Sequence, residues 1–162
     1  MKDDRDEKLL EQLSIELMDA LALQRAGKTD KAVEALRAIL NQEPRLAEPR
    51  MEIASIEIGK ARYEEAEAQA EEAIKILEAG GQWTDDLPEN VLLSMAWSLL
   101  GESLRRQAES DSCVFGDPAV FEELMKRARN AFQKAEALDK MNQHAAEYAA
   151  GLERVSNPEE LA

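Results

Sequence analysis

The residue types that most often perform catalysis are scarce in this chain, which has one histidine, His144, and one cysteine, Cys113. A Ser/His/Asp or Cys/His arrangement would depend on His144 alone. Its position at a predicted helix start favours a surface or capping role instead. No basic residue flanks Cys113 to activate its thiol, so an ordinary loop cysteine is the better interpretation. These residues do not predict an active site.

Acidic residues are abundant, but their spacing does not suit a metal ion. The pairs Glu64–Glu65 and Glu71–Glu72 are adjacent in sequence, so their side chains diverge around a helix. The acids between Glu109 and Asp117 lack the alternating ligands and central glycine of a calcium loop. Gly80–Gly81 is a bare pair rather than a phosphate-binding loop. We therefore expect no metal, no cofactor and no enzymatic activity.

Charge and composition favour a protein partner in the cytoplasm. With 34 acidic and 20 basic residues the formal net charge is −14, which disfavours nucleic acid and anionic membranes. A basic or apolar protein segment suits this field, although solubility alone explains it equally well. The first ten residues lack the apolar core of a signal peptide, and no apolar run reaches the roughly 20 residues that span a bilayer. A single cysteine excludes an internal disulfide and fits a reducing compartment.

Helical elements must position whatever surface the chain presents, because apolar residues recur at helical spacing and no alternating strand pattern occurs. The segment 21–44 predicts a helix ending, a tight turn at Gly27 and a second helix closed by Pro44. The pattern returns 34 residues later, with small residues where two helices cross closely, as in a helical solenoid. The matched pairs are Ala20 with Ala54, Gly27 with Ala61, Ala32 with Ala66, Leu36 with Ala70, and Ile39 with Ala73.

These spacings resemble the tetratricopeptide repeat (TPR). That family has a small residue midway along its first helix, an early alanine in its second, then a large apolar residue, another small one and a closing proline. Trp97, Leu100, Gly101 and Leu104 fit its first-helix positions, and Ala128, Phe132 and Ala135 fit its second-helix positions. Trp97 is expected to be buried, since its helix is apolar on nearly all sides.

The resemblance implies an all-α, TPR-like α-solenoid of about seven helices, formed by three helical hairpins and a C-terminal capping helix in a single domain, 1–162. Repeat 1 covers about 13–46 and repeat 2 about 47–78, followed by a linker at 79–87. An irregular repeat 3 covers 88–140 with an inserted loop at 109–117, and the cap helix covers 142–155.

In that family the first helix of each hairpin lines a concave groove that binds a peptide. The resemblance implies a non-catalytic adaptor that holds an apolar or amphipathic, possibly basic, protein segment there. The alternative is a small acidic TPR chaperone that holds apolar client segments, as in type III secretion. Three methionines suit adaptable binding, and Leu17, Leu21, Met51, Met95 and Leu99 are expected to form a continuous apolar strip, unless some of them are core. Ser98 is among the groove positions that the resemblance implies, and the groove residues expected to bind are Leu17, Met18, Leu21, Arg25, Met51, Glu52, Ser55, Ile58, Met95, Leu99, Glu102, Arg105 and Arg106.

Overall fold

Regular secondary structure is entirely α-helical in the computed structural model, which describes residues 4–80 and 87–147. The all-α prediction is therefore confirmed over these ranges. Residues 143–147 are also helical, at the start of the predicted cap helix, while the rest of that prediction and positions 81–86 of the predicted linker lie outside the described residues. The helices are α1 (Asp4–Arg25), α2 (Thr29–Gln42), α3 (Glu48–Gly59), α4 (Tyr63–Glu78), α5 (Glu89–Glu109), α6 (Asp111–Val114) and α7 (Pro118–Leu138).

The turns between α1 and α2 and between α3 and α4 repeat each other after 34 residues. Gly27 has φ +78°, and Ala61, at the equivalent position, has φ +59°. In each turn the next residue donates its backbone N–H to the carbonyl five residues earlier, at 2.9 Å in the first turn and 2.8 Å in the second. This is the Schellman ending of a helix, in which a left-handed residue lets the chain reverse. The two hairpins therefore close in the same way.

The small residues predicted at the helix crossings are all inside the molecule. Ala20 and Ala32 in the first hairpin, and Ala54 and Ala66 in the second, have no exposed surface. A side chain no larger than a methyl group allows two helix backbones to approach closely, so a bulkier residue at any of the four would overpack the crossing. The predicted role of these alanines is confirmed in that none points to solvent.

Helix α3 contributes to two apolar clusters within the described residues. Ile53 and Ile56 pack with residues of α1 and α2, among them Leu13. Met51 and Ala54, on another face, belong to a second cluster built from α3, α4, α5 and α7. Consecutive helices contact each other, and α3 also contacts α5. The helices thus stack in sequence order with α3 at the junction of the two clusters.

Glu57 is a buried acid near the end of α3, with 1% of its surface exposed. Its nearest cation is Arg62, whose Nη1 lies 3.7 Å from Glu57 Oε2. Burial raises the pKa of Glu57, and the neighbouring carboxylate of Glu65 adds to this rise. The ionised form of Glu57 therefore opposes folding.

The third hairpin is formed by α5 and α7, which cross at Gly101. A Cβ atom on Gly101 would lie 2.9 Å from the Phe132 ring, and Phe132 has no exposed surface. Ala128 and Ala135 of α7 are also fully buried, as the repeat pattern predicts. The close approach of α5 to α7 depends on the missing side chain at this glycine.

Two details differ from the sequence predictions. The predicted loop 109–117 contains the helical turn α6, which is too short to show a periodic pattern. Trp97 is half-buried rather than buried, because it lies in an open depression of about 470 Å³ between α4 and α7. The ammonium of Lys134 lies over the Trp97 ring, 4.3 Å from its centroid.

Among the helices in the described ranges, none is both long and apolar enough to cross a membrane.

Candidate functional site

The predicted groove corresponds in part to a concave pocket of about 340 Å³ between α3 and α5. Six of the predicted groove residues line it, three from each of these helices, and the terminal helical segment 143–147 closes one side. The lining residues are Met51, Glu52, Ser55, Met95, Ser98, Leu99, Glu102, Asn142 and His144.

The four predicted groove residues of α1 do not line this pocket. Met18 is 68% exposed, and Arg25 is also exposed. Leu17 is half-buried and packs against the cluster between α1 and α2, while Leu21 is also half-buried. Leu17 and Leu21 therefore face partly towards the interior, where α1 packs against α2.

The continuous apolar strip expected from the sequence is not formed, because the stated alternative applies and part of it is core. Met51 is only 6% exposed and belongs to the second cluster, so its side chain is largely a core component. Leu99 is half-buried, and Met95 is the most exposed member of the strip, at 45%. The apolar surface available to a partner is therefore a pocket centred on Met95 rather than a strip across three helices.

Glu102 binds two of the three arginines that were predicted to line the groove, Arg105 and Arg106. Its Oε1 accepts hydrogen bonds from Arg105 Nη2 and Arg106 Nε, each at 2.9 Å, and Arg105 also pairs with Glu109. Burial by itself would raise the pKa of Glu102, but these bonds from Arg106 and Arg105 outweigh it and hold that pKa below its usual value. Arg105 and Arg106 therefore form ion pairs with acids of their own helix, α5. Ile58, another predicted groove residue, is half-buried and lies outside the pocket.

Glu52 is the second acid of the pocket and its surroundings are different. Its side chain is half-buried and has no hydrogen bond or ion pair to any residue that the structure describes. Burial raises the pKa of Glu52, and the charge of Arg25 offsets only part of that rise. Glu52 therefore loses hydration without gaining a bonded partner, which is an unfavourable state for a carboxylate.

Two lining residues, Asn142 and His144, were not among the groove positions taken from the resemblance, and Asn142 is the more connected of them. Its Nδ2 donates to Ser94 Oγ at 2.9 Å and to Ser98 Oγ at 3.0 Å. Its Oδ1 accepts from the backbone N–H of Ala145 at 3.1 Å, so Asn142 also caps the segment 143–147. The capping role of Asn142 could be predicted from the sequence, because asparagine is common just before a helix. Its hydrogen bonds to α5 could not, because they depend on how the helices pack.

His144 also lines the pocket, and its ring meets the Phe132 ring edge-on with the centroids 6.1 Å apart. Ser98 lines the same pocket and accepts a hydrogen bond from the Asn142 amide. Within residues 4–80 and 87–147, His, Cys, Asp and Glu form no group of three or more that could hold a metal ion. The geometry of the pocket suits the binding of a side chain.

A larger depression, of about 750 Å³, lies beside α6, where Tyr63, Gln107, Cys113 and Val120 contribute to its walls. Cys113 is half-buried there. None of the predicted groove residues lines this depression.

No protein-family model matches the chain, and no curated protein matches it significantly.

Proposed function

We propose that this chain is a non-catalytic adaptor of the tetratricopeptide type that binds a segment of a partner protein in the pocket between α3 and α5. The observation that carries this proposal is the convergence of six predicted groove residues on one concave surface. Met95 offers an exposed, flexible apolar contact there, and Ser55 and Glu52 supply polar groups beside it. A concave apolar surface with a few polar groups is the usual form of a binding site.

The resemblance to tetratricopeptide repeats is supported by the two Schellman turns, which place a left-handed residue at the same point of each hairpin. It is also supported by the four buried crossing alanines. A cytoplasmic location is part of the proposal, since a single cysteine fits a reducing compartment. The strongly acidic chain would attract segments that carry basic residues and speed their encounter with the pocket.

A chaperone for apolar client segments is the second candidate. Ile15 and Met18 are 62% and 68% exposed, and they lie three residues apart on the same face of α1. Such a face could extend the contact with a client beyond the pocket, as a holding chaperone requires. Substitution of both residues by serine would then weaken client binding, whereas an adaptor confined to the pocket would be unaffected.

The proposal is tested by affinity purification from the native cell, followed by mass spectrometry of the captured proteins. Met95→Glu places a charge in the pocket at a position that is already partly exposed, so the fold should persist. Met51 is unsuitable for this purpose because it is buried. Val114→Glu on α6 is the matched control, since Val114 is 52% exposed and lies outside the pocket.

We expect Met95→Glu to lose the captured partner and Val114→Glu to retain it, with unchanged far-UV circular dichroism and melting temperature in both. Equal capture by wild type and Met95→Glu would show that the pocket is not the binding site. Loss of capture in Val114→Glu alone would move the site to the depression beside α6.

A further inference from the structure

The pocket between α3 and α5 combines an apolar lining with one carboxylate that has no bonded partner. Met51, Met95 and Leu99 supply the apolar part. Glu52 supplies the carboxylate, and within the described part of the chain it makes no hydrogen bond or ion pair. The other acid, Glu102, is already neutralised by two arginines. The pocket therefore presents one available negative charge beside flexible apolar side chains.

We propose that the pocket receives a lysine side chain of the bound segment, with its aliphatic stem against Met95 and Leu99 and its ammonium group at Glu52. This inference rests on the proposed function, because it names the residue of the partner that the pocket takes. A lysine stem packs on apolar surface while its charged end seeks a polar group, which matches this combination of walls.

A cation fits this pocket better than a neutral or acidic side chain. A half-buried carboxylate has already lost part of its hydration, so an incoming cation replaces that loss with a direct interaction. An acidic side chain would meet Glu52 as a like charge. An apolar side chain would bury Glu52 further without giving it a partner, which is costly.

Among the described residues, no cation is paired with Glu52. Arg25 influences Glu52 through its charge but forms no ion pair with it, and Arg105 and Arg106 are bound to Glu102. Lysine is favoured over arginine because its longer aliphatic stem covers more of the apolar lining formed by Met95 and Leu99 before the charged group reaches Glu52.

The test uses pools of short amphipathic peptides that share random flanking positions and differ at one fixed central residue: lysine, norleucine or glutamate. Norleucine keeps the stem of lysine without the charge. Binding to the full chain is measured by fluorescence anisotropy at physiological ionic strength, where general attraction to the acidic surface is partly screened. Glu52→Gln removes the negative charge of the proposed acceptor and keeps a side chain of similar size. Glu64→Gln removes an exposed acid of α4 outside the pocket and so gives the same change in net charge.

We expect the lysine pool to bind the wild type about tenfold more tightly than the norleucine pool, as for one partly buried ion pair. Glu52→Gln should reduce this preference to less than about twofold, and Glu64→Gln should preserve it.

Equal binding of lysine and norleucine pools that is lost in Met95→Glu would overturn the lysine assignment and leave the pocket as the binding site. A lysine preference that persists in Glu52→Gln would also overturn the assignment. Absence of binding by every pool at about 1 mM, or binding that Met95→Glu does not weaken, would contradict both the assignment and the proposed function.

Discussion

Replacing Ala61 by glycine should stabilise this protein, although glycine destabilises the interior of a helix or strand. Ala61 has φ +59°, a left-handed conformation that costs an L-residue about 1–2 kcal/mol and costs glycine almost nothing. Against this gain stands the greater entropy of glycine in the unfolded chain, about 0.5–1 kcal/mol. Ala61 is exposed, so little packing is lost with its methyl group. The expected net gain is about 0.5–1 kcal/mol, or about 1–4 °C in melting temperature for a chain of this size.

The equivalent turn supplies the reciprocal experiment. Gly27 has φ +78°, and a Cβ atom added there would meet nothing within 4 Å, so Gly27→Ala changes the backbone term alone. It should destabilise the protein by about the amount that Ala61→Gly gains, and the two changes together should nearly cancel, because distant sites are usually additive. Urea unfolding at constant pH, followed by circular dichroism, measures all three variants. If Ala61→Gly lowered the unfolding free energy, the left-handed turn would not carry the strain assigned to it.

Three further predictions concern stability. Gly101→Ala should destabilise by about 1–2 kcal/mol in urea unfolding, because overpacking against the buried Phe132 ring exceeds the gain in helix propensity; a gain of stability would contradict the contact. Because the raised pKa of Glu57 means that folding favours its protonated form, Glu57→Gln should raise the melting temperature at pH 7, and this advantage should shrink as the pH falls towards the ordinary value of 4.5. No difference from wild type at pH 7 would show that the ionised group is well accommodated. Asn142→Ala should cost about 1–2 kcal/mol through the lost cap and the two bonds to α5, with the exposed Asn130→Ala as its near-neutral control in the same urea assay.

Most of the helix boundaries could be predicted from local signals. Gly27 ends α1, and Pro118 begins α7, because a left-handed position and a fixed φ have purely local causes. The buried face of α5 could not be predicted in the same way. Its sequence is apolar on nearly all sides, so only the placement of α4 and α7 decides that Trp97 is half-buried rather than buried.

The candidate site was predicted in part, and the misses have two different causes. The pairing of Arg105 and Arg106 with Glu102 was available from the sequence, since residues three and four apart on a helix are neighbours. The sequence could not show that Leu17 lies outside the pocket or that Asn142 lines it, because each depends on how separate helices pack. Family groove positions specify a helix face, but the tilt of that face towards its neighbours is a tertiary property.

The position of α3 between two apolar clusters has a consequence for how the molecule opens. Since α1 and α2 meet the other described helices chiefly at α3, they form a unit that can detach while Met51 and Ala54 stay packed against the second cluster. Amide hydrogens of α1 and α2 would then exchange with deuterium at a lower opening free energy than those of α5 and α7. In a stacked array of this kind, α3 sets how strongly the two halves cooperate, and a cavity made at Ile53 would uncouple them.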